Sequence, residues 1–581
     1  MEMKGSSSDL VETSGDVSNS KKGGLKTMPF IIANEALERA AGVGLSANMI
    51  LYLTKEYHWE NATGASILFW WGSIANFMPI FGALLADSYL GRYFVIALGT
   101  VVSLMGMVVL WLTAILKEAK PHSCNLEAGN CSKPDFGQVA LLFASFALMS
   151  IGAGCIMPCA LAFGADQFNK PENPDNGRIL QSFFNWYYAS VCISTLISMT
   201  VIVYIQAQFG WIVGFGVSAC LMLLAAATFL LGSKLFIRIK ANKSLVTSFV
   251  QVVAAAWKNR HLALPPVDSD ELYHHDKGSR LTIPTNKLRF LNKACIIRNP
   301  EKDLNPDGTA SDPWKLCTVQ QVEGMKALLK VLPIWSSGIM VAVTLNQHAF
   351  PVLQANTMDR HLVGNFNIPP GSFSAFAIIT LTICVAIYDR ILVPQISKIT
   401  KNPRGLSFKQ RMGIGILLSC AAQAVAALVE KERRVRALSE GLANHPFSQV
   451  NMSAMWLIPQ NSLTGLAEAF NVIGQIEFYY SQFPKSMASI GVALLALGMG
   501  VGNLVGNLIV KYASTRGGKQ SWVLNNLNLG HYDYYYWLLC FLSLVNFFYF
   551  IVCAWAYGST EEQQKIWDVE QVEKEGDILI L

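Results

Sequence analysis

Asn34–Gly44 reads NEALERAAGVG, placing Glu35, Glu38 and Arg39 within five residues of one another. The flanks, Pro29–Ala33 and Val43–Leu53, are mostly apolar, and together they are long enough for a bilayer helix. A charged side chain at mid-bilayer costs about 2.5–3.5 kcal/mol, against about 0.3–0.6 gained per Leu or Ile. Three such charges facing lipid would cancel most of the insertion energy of the helix. They must therefore face a wet or protein-lined interior, where ionisable groups mark ion or proton routes. On a helix Glu35 and Arg39 are four apart and share a face, and Glu38 lies three from Glu35. An Arg between two carboxylates keeps both ionised, and protonating one frees the guanidinium to re-pair. That is a workable proton switch; the alternative is a static cluster that fixes helix packing.

The rest of the chain agrees with a membrane protein. Of 581 residues, 52% are hydrophobic and only 14% charged, where a soluble protein has about 25% charged. The deficit sits in twelve apolar stretches of membrane-crossing length: 29–53, 66–86, 93–116, 138–165, 185–206, 211–232, 328–350, 371–393, 412–430, 452–473, 485–511 and 535–557. Six precede residue 233 and six follow 327. Six plus six around a long polar connection is the layout of the major facilitator fold, two halves about a midplane cavity. The expected class is thus an all-α membrane protein with twelve transmembrane helices in two six-helix halves joined by a central cytosolic linker. The expected parts are a disordered cytosolic tail (1–28), the first half (29–232), the linker (233–327), the second half (328–557) and a second cytosolic tail (558–581).

Lys21, Lys22, Lys26, Arg92, the central stretch and the 8–9 connection (Arg390, Lys398, Lys401, Arg404, Lys409, Arg411) are basic and share one side if both termini are cytosolic. Arg433, Arg434 and Arg436, in the expected 9–10 loop on the other side, run against this pattern. The N-terminus lacks an apolar core, so no cleaved signal peptide is expected. Asn61, Asn130 and Asn451 head glycosylation triplets in outward connections. Cys124 and Cys131 bracket CNLEAGNC and could pair if that loop is extracytosolic. The net charge of +6 fits loop bias; no basic run interleaves with aromatics, so no nucleic-acid partner is expected.

Further polar groups mark candidate sites. Gly82–Arg92 (GALLADSYLGR) closes span two, where Gly82 permits close helix approach and Asp87 and Arg92 can bridge helix ends as a latch. An ordinary membrane-edge turn is the plainer alternative. Glu468 lies deep in span ten, and Glu477 near its cytosolic end suits a gate. Span seven holds Trp335, Thr344, Asn346, Gln347 and His348, of which Trp335, Thr344, Gln347 and His348 join Glu468 as candidates for a substrate cavity. A lone membrane His is more often structural than a proton acceptor. Phe183–Tyr188 opens span five with an aromatic cluster, more often interfacial packing than a cavity wall. No nucleophile–base pair, phosphate loop or metal-ligand spacing appears in the polar segments, so neither an enzyme nor a cofactor is expected. His274 and His275 read as solvated loop residues.

These segments resemble the plant nitrate/peptide transporter family, within the proton-dependent oligopeptide transporters of the major facilitator superfamily. The likeness runs from Gly24 to about Tyr557. EALER (Glu35–Arg39) is similar to the family's ExxER proton-coupling motif, and Phe81–Tyr93, Ala162–Asn169, Phe183–Tyr188, Asp312–Glu323 and Ile476–Met487 are similar to other family segments. The resemblance implies a symporter with a helical linker. Two departures stand out. Met157 occupies the position in span four where the family usually has Lys or Arg, which makes it a further candidate for the substrate cavity and leaves Glu468 without its cationic partner. Thr344 matches the His of some nitrate carriers, and His348 comes one turn later.

The expected function is proton-coupled uptake of a small polar or anionic solute, with low-affinity nitrate ranked first. Glycosylated metabolites, acidic hormones and short peptides are alternatives. A solute sensor and an uncoupled facilitator or exporter are further readings. The plasma membrane is the expected location and the vacuolar membrane the alternative. Solute, protons and lipid are the expected partners.

Overall fold

The computed structural model describes residues 23–122, 132–168, 176–238, 245–265, 272–275, 284–306, 308–364, 366–400, 405–483, 489–515 and 521–558. Cys124, Cys131 and Asn130 lie outside these described residues, as do most of the first tail and nearly all of the second.

Among the described residues, twelve helical spans form two six-helix halves. Span one is Met28–Ala47 continued by Met49–Lys55; spans two, three and four are Asn61–Leu85, Arg92–Ile115 and Phe136–Phe168. Span five begins at Asn176 and runs through a π-helical turn, Ser198–Ile202, to Phe209. Gly210, at φ 79° and ψ 178°, breaks the helix, and span six continues to Leu231. Only glycine adopts that backbone without strain. In the second half, span seven is Val319–Leu345, span eight Ala375–Ile387 extended by Val393–Thr400, and span nine Phe408–Ser439. Spans ten, eleven and twelve are Ile458–Gln482, Ser489–Thr515 and Tyr532–Tyr557.

Nine helical stretches among the described residues are long and apolar enough to cross a bilayer, one of them (Ile179–Lys234) being spans five and six joined at Gly210. Spans one and ten fall short of that standard. They are the spans that carry Glu35, Glu38 and Arg39, and Glu468 and Glu477.

Helix contact inside each half depends on absent side chains. A Cβ on Gly82 of span two would stand 2.1 Å from the Gly154 carbonyl of span four, and one on Gly465 of span ten 2.1 Å from the Ala377 carbonyl of span eight. Without a hydrophobic drive between helices in lipid, such close backbone approach supplies the packing.

Several boundaries differ from the sequence expectation. Span seven starts at Val319, nine residues before the expected 328, because Thr318 and Gln321 form a reciprocal capping box. Span nine runs to Ser439, past the expected 430, so Arg433, Arg434 and Arg436 belong to a helix and not to a loop. Arg433 is fully buried on Glu430, Arg436 pairs with Glu432 at 2.7 Å, and Arg434 reaches His531 at 3.3 Å. These arginines are partnered side chains, so they carry little weight in a loop-charge count. Asn61 is also not a free loop residue; it opens span two and is 7% exposed. Asn451 is exposed on the short strand Val450–Ser453, which pairs in parallel with Met358–Asp359. Gly23 and Gly24, ahead of span one, donate to the carbonyls of Leu235 and Gln167 at 2.8 Å and so are anchored to the first half.

The linker holds a helix, Leu245–Lys258, and a small core of its own in which Val252, Ala255, Tyr273, Cys295, Cys317 and Val322 are buried. His274 belongs to it, its ring nitrogens each 3.3 Å from the carbonyls of Cys317 and Gly308, so this histidine is structural and not solvated. With six spans on either side, the linker, the start of span one and the end of span twelve share one face, here the linker face. On the far face one hydrophobic core joins the halves, bringing Ile50, Ala65 and Phe69 against Val343, Phe350 and Val510.

Candidate functional site

A cavity of about 320 Å³ lies between the halves, walled by spans one, two, three, four, seven and eleven. Glu38 and Arg39 open onto it, together with Ser46, Asn76, Asn346 and Asn503. The apolar wall includes Leu68, Phe69, Trp71, Met107 and Met149. Glu35 is turned away: 2% exposed, it accepts from Arg39 Nη2 at 3.4 Å while its Oε2 meets no partner. Tyr187, from the span-five aromatic cluster, lies within electrostatic reach of all three charges. The trio is therefore protein-lined on one side and cavity-lined on the other. A buried Arg–carboxylate pair with one oxygen unsatisfied can rearrange when a neighbouring carboxylate changes charge.

The span-seven residues divide among three environments. His348, which starts the short helix Ala349–Asn356, lines the central cavity and also a side chamber of about 40 Å³. Thr344 and Gln347 face that chamber and not the main cavity; both are buried, with Thr344 Oγ1 donating to Val341 O and Gln347 Oε1 accepting from Tyr535. Trp335 lies apart from both, its Nε1 donating to Leu494 O of span eleven at 2.7 Å as a brace between helices.

Met157 is half-exposed and sits on the same face of span four as the wall residues Ser150 and Ala153, one turn toward the linker face. Glu468 is half-buried on span ten, with Cys192 of span five in electrostatic range and no Lys or Arg paired with it among the described residues.

At the linker face, Arg92 opens span three and holds two carboxylates: Asp166 at the end of span four (2.7 Å) and Asp87 (3.7 Å). Asp87 sits in a π-helical turn, Ala86–Leu90, that ends span two. The second half repeats this plan. A π-helical turn, Tyr388–Leu392, interrupts span eight, and Arg411 near the start of span nine donates to Glu477 at the end of span ten at 2.5 Å. The Arg411 guanidinium also covers the Tyr388 ring at 4.7 Å. Each half thus clamps its third helix to its fourth with an Arg–carboxylate bond. Asp166 and Arg411 were not singled out from sequence as gate residues; an acid in the last turn of one helix facing an Arg in the first turn of the previous one was the available signal. No group of three or more metal-binding side chains occurs among the described residues.

The family model described as the POT family matches residues 93–523. The chain is 51% identical over 565 residues to "Protein NRT1/ PTR FAMILY 1.1" of Arabidopsis thaliana, covering 96% of each chain. It is 49% identical to "Protein NRT1/ PTR FAMILY 1.2" of the same plant, covering 96% of this chain and 93% of that protein. Among solved structures, an auto-inhibited POT family peptide transporter superposes with a TM-score of 0.67 at 20% identity, over 91% of this chain and 96% of that one. A POT family transporter in complex with 5-aminolevulinic acid gives 0.61 at 15% identity, over 93% and 99%. At these identities the structures speak for the fold alone. The relatives at half identity over nearly full length, and the family match on most of the chain, decide the rest: this protein is a multi-pass membrane transporter, not an enzyme, and belongs to the NRT1/PTR group of the POT family.

Proposed function

We propose that the protein is a proton-coupled symporter that carries a small polar or anionic solute toward the cytosol, with the linker and tails on the cytosolic side. The plasma membrane is the proposed location, with the vacuolar membrane as alternative. The observation that carries this reading is the split of the charge trio, Glu38 and Arg39 on the cavity and Glu35 behind them. With Glu38 ionised, Arg39 is shared between two carboxylates. A proton taken by Glu38 ends that competition and brings the trio from one net negative charge to neutral, so an anionic solute in the cavity is no longer repelled and meets a guanidinium paired with Glu35 alone. Release of the proton on the linker face reverses the balance and expels the solute. Membrane potential adds about 2.3 kcal/mol per charge per 100 mV to the inward step.

Nitrate at low affinity is the first substrate to test, with Arg39 as its cation and the amides of Asn76, Asn346 and Asn503 as donors. A second reading is favoured by the walls. A volume of about 320 Å³ is at the lower end of the roughly 300–1,000 Å³ typical of drug-sized ligands, and Trp71 and Phe69 suit an amphipathic weak acid or glycoside. The test is voltage-clamped oocytes given nitrate, a hydrophobic carboxylic acid and a glucoside at two external pH values. Inward current that grows on acidification and is lost in Glu38→Gln supports the proposal; full pH-driven current in that variant refutes the coupling group.

A further inference from the structure

We propose that Asn61 and the loop between spans eleven and twelve (521–531) form the latch that closes the far face, making Asn61 a gating residue of transport. The proposal rests on the transport activity and holds whatever the solute or the coupling ion. The backbone N of Asn61 donates to Asn525 Oδ1 at 2.9 Å, and its Nδ2 is shared among Asn525 O (3.1 Å), Tyr532 Oη (3.3 Å) and Leu524 O (3.4 Å). Asn61 belongs to the first half and every one of these partners to the second. The loop, in turn, is fixed to its own half by much stronger bonds. Arg433 donates to Leu527 O at 3.0 Å and to Asn528 Oδ1 at 2.9 Å, and is held by both oxygens of the fully buried Glu430 at 2.8 Å. Gln354 donates to Glu430 at 2.7 Å, and Asn526 and Asn528 donate to the carbonyls of Ala443 and Leu442.

The division of strength is what a gate needs. Charge-assisted bonds are roughly twice as strong as neutral ones, and those that hold this loop stay within one half. The bonds that tie the loop to the other half through Asn61 are neutral amide contacts at a helix end, where separated partners regain water. Opening toward the far face therefore breaks the Asn61 contacts and leaves the loop intact. Two other crossings on this side involve span one, the charge-assisted Lys55 Nζ to Asn356 Oδ1 at 3.2 Å and the neutral Gly371 N to Asn48 Oδ1 at 3.0 Å; Asn61 has the most partners.

The test uses full-length protein in sealed vesicles with Ser46→Cys as a reporter in the cavity wall, modified by an impermeant maleimide and read by peptide mass. Asn61→Ala is expected to raise the rate from the far side at least tenfold without raising it from the linker side. In Asn61→Cys/Asn525→Cys, oxidation is expected to form a disulfide that abolishes far-side modification, leaves linker-side modification intact, and is reversed by reductant. The proposal is overturned by unchanged far-side rates in an Asn61→Ala protein that is monodisperse and melts like its parent. If that variant does not fold, the cysteine pair decides: no cross-link, or far-side access persisting in cross-linked protein, overturns it. A glycan found on Asn61 also overturns it, since the amide could not then hold the loop.

Discussion

Replacing Arg433 by methionine removes a guanidinium that is 0% exposed and leaves Glu430, also 0% exposed, with Gln354 as its remaining donor. Breaking a buried pair from one side costs about 3–5 kcal/mol, because the surviving charge stays desolvated. Three further bonds go, to Leu527 O, Asn528 Oδ1 and, more weakly, Thr357 Oγ1 at 3.4 Å, and leaving such acceptors unpaired adds about 1–3 kcal/mol each where water cannot reach. Methionine returns about 1.5–3 kcal/mol of apolar contact, so a net loss of at least about 3 kcal/mol is expected. The double variant Glu430→Gln/Arg433→Met removes the orphaned charge, since replacing a whole buried pair is often neutral. It should recover most of that loss and retain only the cost of the loop bonds. The assay is denaturant-induced unfolding in detergent followed by tryptophan fluorescence, with size exclusion to exclude aggregation. A single variant as stable as the parent, or a double variant no better than the single, would refute the reasoning.

Three other outcomes are expected. Gly82→Leu drives a side chain into the Gly154 carbonyl, where even a Cβ would stand 2.1 Å away; spans two and four must separate, and folded yield in size exclusion should fall severalfold, whereas Gly42→Ala, with nothing within 4 Å, should be tolerated. At the linker face, Arg92→Asp should slow transport by setting a third carboxylate against Asp87 and Asp166, and Arg92→Asp/Asp166→Arg should restore much of the rate; flux measured in both variants checks this. In the linker, burial pushes the Cys295 and Cys317 thiols from 9.0 up to about 12. They should resist maleimide at neutral pH in folded protein. Their contribution to linker stability is complete below pH 9 and is lost as pH rises toward about 12, which limited proteolysis across that range would follow.

Much of the fold was legible because hydrocarbon imposes one simple requirement: about twenty apolar residues per crossing. That rule located all twelve spans, although the charges of spans one and ten pull them below a hydropathy standard. It failed where charge was satisfied inside a helix. Glu430 to Arg436 looks like a loop because hydropathy cannot tell a solvated arginine from one bonded to a carboxylate three residues earlier. Asn61 looked like a glycosylation triplet for a related reason: its partners are more than 460 residues away. The side chains of Thr344, Gln347 and His348 follow one another within five residues, yet which of them meets the cavity depends on where the helix ends and on its neighbours.

The sequence by itself determined that this is a twelve-span carrier with charges kept from lipid, since the cost of exposing an ion to acyl chains exceeds anything a short apolar flank returns. Only the tertiary structure decided that Glu38 and Arg39 face the cavity while Glu35 does not, that Arg92 and Arg411 make matching clamps in the two halves, and that Asn61 bonds to the loop ahead of span twelve. Those are relations between helices distant in the chain. They depend on backbone approach and on hydrogen-bond partners that no local pattern encodes.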